Sequence, residues 1–121
     1  MIRIVGVQRS EVPNQEFVLL QNQGNMRELL RGRALIEDGA FHEQSGGIHL
    51  FADDVRIGPG QFVMLRSCVG EPHWGTSKDG AIVYFTYAGR KAPIWSTAAQ
   101  AVHLLSADHT HTPRVESAVV V

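Results

Sequence analysis

Cysteine is nearly missing from this chain. Cys68 is alone among 121 residues, so no intrachain disulfide can form and the fold must rest on packing. Long apolar runs are missing too. No window approaches the roughly 18 residues a membrane helix needs, and Met1 to Arg9 is too short and too charged for a secretory leader. These absences predict a cytoplasmic protein without a membrane segment. Charge of one sign is also lacking: 11 Lys and Arg against 12 Asp and Glu leave a net charge of -1. Generic binding to nucleic acid or anionic membranes therefore has no electrostatic drive. Finally, no apolar pattern of helical period lasts beyond two turns.

What is present is β-prone and punctuated by glycine and proline. Apolar residues make up 44% and charged residues 19% of the chain, a globular balance. At this length one domain can bury roughly two-thirds of the surface its unfolded form exposes. Ile57-Gly58-Pro59-Gly60-Gln61-Phe62-Val63-Met64-Leu65 reads as a tight turn feeding a core strand. Further strands are expected at 2–7, 16–22, 33–36, 48–51, 81–87 and 101–105. Residues 16–22 are apolar on both alternating sets, as for a strand covered on both faces. Residues 25–31 carry a capping-box pattern worth a single helical turn at most. Glu37-Asp38-Gly39 reads as a turn and Cys68 to Gly80 as a long loop. The expectation is all-β: one antiparallel sandwich of about seven to nine short strands spanning 1–121. Its core would lie in 2–110, with 111–121 a tail or edge strand.

The ordered segments resemble the lamin tail domain family. The family opens on an aliphatic strand, here Ile2 to Val7, followed by a Glu-Phe-Val strand, here Glu16-Phe17-Val18-Leu19-Leu20-Gln21-Asn22. Leu30-Arg31-Gly32-Arg33-Ala34-Leu35 matches its Leu-x-Gly-x-x-Leu element, and Ile57 to Leu65 its Pro-Gly strand element. Trp95 and Val102-His103-Leu104 match its late Trp and Val-x-Leu strand. The chain departs from the pattern at Leu19, Arg33 and Ser96 to Ala99. The resemblance implies an immunoglobulin-like sandwich serving as a non-catalytic module that binds other molecules, with no catalytic residues and no cofactor to carry over.

Several residues invite chemistry. His109 and His111, two apart with Glu116 nearby, could hold a divalent metal, as in a small cupin-like β-barrel enzyme. The plain reading is a solvated loop. Cys68 with His73 lacks anything to orient a thiol nucleophile. Asp53 and Asp54 are adjacent, so on extended chain they diverge, which favours a turn. Arg27, Arg31, Arg33, Arg56 and Arg66 could form a basic patch, but Glu28, Glu37 and Asp38 dilute it. Trp74, beside His73, either anchors a partner or plugs one end of the sandwich. Trp95 is expected in the core. Val119, Val120 and Val121 form a candidate strand donor to a second copy. The expected partner is thus a protein, another copy of the chain included.

Overall fold

In the computed structural model of the protein, Gly60 adopts φ +77° directly after Pro59. The Gln61 amide donates to the Gly58 carbonyl at 3.1 Å, so 58–61 is a type II turn, which needs positive φ at its third residue. The turn delivers the chain into a core strand, as the sequence predicts. The structure describes residues 1–42, 47–95 and 100–106.

Among the described residues there are ten strands: β1 (Ile2–Gln8), β2 (Phe17–Asn22), β3 (Glu28–Leu29), β4 (Arg33–Glu37), β5 (Ile48–Leu50), β6 (Arg56–Ile57), β7 (Phe62–Arg66), β8 (His73–Thr76), β9 (Ile82–Tyr87) and β10 (Val102–Ser106). One short helix, α1 (Asp38–His42), and a 3-10 turn at Pro13–Gln15 complete the described elements. The first layer is a five-stranded sheet in the order β1-β2-β7-β9-β8. The second combines the β10-β4-β5 sheet with the β3-β6 ribbon.

The core lies between the layers. Ile2, Val18, Leu20, Val63, Leu65 and Tyr84 face it from the five-stranded sheet; Leu30, Leu35, Phe51, Ile57, Ile94 and Trp95 fill it from the other side. The all-β sandwich expectation therefore holds, and Trp95 is fully buried. Two buried side chains tie the layers together. Asn22 donates to the Ile57 carbonyl at 2.8 Å and the Met26 carbonyl at 2.8 Å. Glu16 accepts from the Ser67 hydroxyl and from the Ile94 and Trp95 amides on a single carboxylate oxygen, at 2.6, 2.7 and 3.1 Å.

The structure corrects five expectations. The sandwich is not wholly antiparallel: β7 and β9 run parallel. The chain leaves β7, crosses to the sheet margin as β8, and folds back as β9 between β8 and β7, which aligns β9 with β7. Residues 73–76, read as loop, form that marginal strand. Trp74 and Thr76 are strand formers, and their pairing with β9 overrides the glycines and Pro72 around them that read as loop. Residues 25–31 contain no helical turn; Glu28–Leu29 pairs with Arg56–Ile57 instead. Asp38 opens a short helix where a turn is expected. Finally, β2 is covered unequally. Val18 and Leu20 are buried, whereas Phe17 and Leu19 are half-buried on the outward face.

Candidate functional site

At the margin of the sandwich, β8 is held by its hairpin with β9. Gly80, at φ +86°, reverses the chain, and Ser77 and Ala81 close the turn by a backbone bond of 2.8 Å. The register pairs Trp74 with Tyr84 and Thr76 with Ile82, so Trp74, Tyr84 and Ile82 share the face that looks toward the second layer. Tyr84 is buried and packs its ring against Trp74 at 5.0 Å between centroids. Trp74 itself remains 45% exposed and Ile82 44% exposed. Trp74 is thus on a strand at the open margin; it does not plug the end of the core.

Trp74 forms one wall of a cleft of about 310 Å³ lined also by Arg27, Arg56, Gln61 and Ile82. Arg56 lies on β6 opposite Leu29, and Arg27 immediately precedes β3, so the two layers supply opposite walls. Both arginines are exposed. Gln61 accepts from the Gly58 amide at 2.7 Å, which fixes its side chain at the foot of the cleft.

The arginines of the described residues separate into two groups. Arg33 pairs with Glu28 at 2.8 Å, Arg31 with Asp54 at 3.8 Å and Arg9 with Glu37 at 4.0 Å. Arg66 donates to the Asn14 carbonyl, Arg90 to that of Ile48 and Arg3 to the Met1 sulfur. The guanidiniums of Arg27 and Arg56 have no hydrogen bond or ion pair to any described residue. The dilution expected of the basic patch thus applies to Arg31 and Arg33 and spares the two arginines that line the cleft.

Beneath the cleft, Asp53 accepts from the Tyr84 hydroxyl at 2.9 Å and the Thr86 hydroxyl at 2.7 Å. Burial, and then this carboxylate, push the Tyr84 pKa well above its ordinary value. The phenol stays a neutral donor and the Trp74 platform is fixed from below. Asp53 therefore has a structural task, while Asp54 points to solvent beside Arg31.

The residues singled out from sequence separate. His73 lies on β8 next to Trp74 but on the opposite face, stacked on Phe85 at 5.0 Å with 14° between ring planes. It does not line the cleft. Cys68 is half-buried. His109, His111, Glu116, Val119, Val120 and Val121 lie outside the described residues. Among the described residues no three His, Cys, Asp or Glu side chains gather as a metal site, and no helix is long and apolar enough to cross a membrane.

Sequence reasoning reached Trp74 but missed Ile82 and Gln61 as its neighbours. The strand character of 73–76 was the hidden signal: had Gly-Thr-Ser-Lys-Asp-Gly been read as a hairpin turn, Ile82 would have fallen beside Trp74. Comparisons with protein-family models, with curated proteins and with solved structures each find no match to this chain.

Proposed function

We propose that the chain is an immunoglobulin-like β-sandwich of the lamin-tail type that works as a non-catalytic binding or assembly module, docking a protein at the Trp74 cleft. The observation that carries this reading is Trp74 itself. A large aromatic left 45% exposed, yet packed on a buried tyrosine, is a rigid apolar anchor at little entropic cost. The lamin-tail assignment is supported by the succession of motifs: the Gly-Pro-Gly turn before β7, the buried Glu16 that opens the Glu-Phe-Val strand, and Trp95 ahead of β10. Nothing in the cleft suggests bond-making chemistry. Its lining offers two guanidiniums, an amide and apolar surface, which bind and orient.

Trp74→Ala tests the reading. Immobilised wild-type protein should retain a discrete set of proteins that the folded variant fails to retain, with both showing the same far-ultraviolet spectrum. Equal retention by the two, or loss of fold in the variant, overturns it.

A further inference from the structure

β8 ends the five-stranded sheet. The backbone of His73–Thr76 bonds to β9 alone among the described residues, so its other side offers unpaired amides and carbonyls. At the opposite margin β10, the end strand of the second layer, comes close to β1. An open edge of this kind is a template for another strand unless a charge or bulge blunts it. Here the edge carries an exposed tryptophan.

A strand added to β8 would send alternate side chains toward the second layer, the face shared by Trp74 and Ile82. There they would enter the cleft and meet Arg27 and Arg56. These are the two described arginines whose guanidiniums have no hydrogen-bond or ion-pair partner among the described residues, and no acidic side chain lines the cleft. Chain-wide charge is balanced, but this spot carries two unneutralised cations beside an apolar wall.

We infer that the cleft binds an extended acidic peptide segment by strand addition to β8, with carboxylates at two inward-facing positions reaching Arg27 and Arg56 and an apolar side chain at a third inward-facing position resting on Trp74. This rests on the docking role proposed for Trp74 and supplies the partner's chemistry. The backbone edge gives affinity that is blind to sequence; the arginine pair gives the preference for acid. Two guanidiniums, with a chain charge of -1, suit a short acidic stretch better than a polyanion such as nucleic acid.

The test uses the full chain and dye-labelled seven-residue peptides of sequence Thr-Glu-Thr-Glu-Thr-Val-Thr, whose one face carries two Glu and a Val, followed by anisotropy in low and high salt. Counterparts carry Gln or Lys in place of Glu, and one acidic peptide is N-methylated along one edge. The acidic peptide should bind at least tenfold tighter than the Gln peptide. The preference should shrink in high salt, and should vanish in an Arg27→Gln/Arg56→Gln variant whose melting temperature is unchanged. N-methylation should weaken binding at least tenfold. Equal binding of acidic and Gln peptides, no binding at millimolar peptide, indifference to N-methylation, or tighter binding of an oligothymidylate each overturns the inference. If Trp74→Ala loses its retained proteins while the double arginine variant keeps them, docking at Trp74 stands and the acidic chemistry falls. If Trp74→Ala loses none, the docking role itself falls.

Discussion

The carboxylate of Glu16 lies 2.6 Å from the Ser67 hydroxyl, across 51 residues of chain, and both side chains are fully buried. The same oxygen accepts the amides of Ile94 and Trp95. Glu16 therefore serves as a local substitute for a strand: it satisfies backbone donors of the segment that carries Trp95 into the core. Glu16→Ala leaves these donors buried without an acceptor, each worth about 1–3 kcal/mol. A loss of about 3–5 kcal/mol is expected, read as a fall in urea midpoint. Glu16→Gln keeps one acceptor oxygen and should recover part of it. An alanine variant as stable as wild type would show that the network is incidental.

The two tryptophans should respond in opposite ways. Trp95 is fully buried and Trp74 is 45% exposed. Truncating a buried tryptophan to alanine costs about 3–5 kcal/mol through lost contacts and the cavity left behind. Trp74→Ala should cost about 1 kcal/mol, because Tyr84 still holds its bond to Asp53. Thermal melts of the two variants, compared with wild type, check the pair. A large loss on Trp74→Ala would return that residue to the core.

The alternation of apolar residues and the glycine and proline turns made most of the architecture legible. Strands β1, β2, β4, β5, β7, β9 and β10 fall within a residue or two of their expected places. The unread parts share one physical cause: they are defined by pairing and not by local pattern. Glu28–Leu29 and Arg56–Ile57 are two-residue strands that exist only through each other. His73–Thr76 contains Gly75, a poor strand former by itself, where an added β-carbon would stand 3.0 Å from the Phe85 ring. The candidate site inherits the same limit. Trp74 stood out by residue type, whereas Arg27, Arg56 and Ile82 become its neighbours only once β3, β6 and β8 are placed.

Stability should fall at both ends of the pH scale for separate reasons. Burial is the main cause that lowers the His49 pKa from 6.5, helped by Arg90 and opposed by Asp53. A depressed histidine stabilises the fold above pH 6.5, where both states are neutral, and loses that contribution as the unfolded chain protonates first. His49→Leu should flatten the decline in urea midpoint from pH 6.5 downward. Tyr84 is the reverse case. Its pKa is raised above 10.0, so its contribution is complete below pH 10 and disappears as the pH climbs beyond it. Tyr84→Phe should remove about 1 kcal/mol at neutral pH and flatten the alkaline decline. Parallel slopes for variant and wild type at either end would clear the residue concerned.

The turn before β7 offers the most local test. Gly60 adopts φ +77°, and a β-carbon added there meets nothing within 4 Å. The cost of Gly60→Ala is thus backbone strain alone, about 1 kcal/mol, since only glycine occupies the left-handed region freely. At Gly58 the φ is ordinary, and an added β-carbon would press on the Gln61 side chain at 3.1 Å. Gly58→Ala should therefore act on Gln61, which bonds the Gly58 amide at 2.7 Å and lines the cleft. Gly60→Ala should lower the melting temperature and leave binding at the cleft untouched. Gly58→Ala should change peptide affinity as well. Matching effects of the two substitutions on both readouts would mean that the turn and the cleft are a single unit rather than a rigid support and a separate wall.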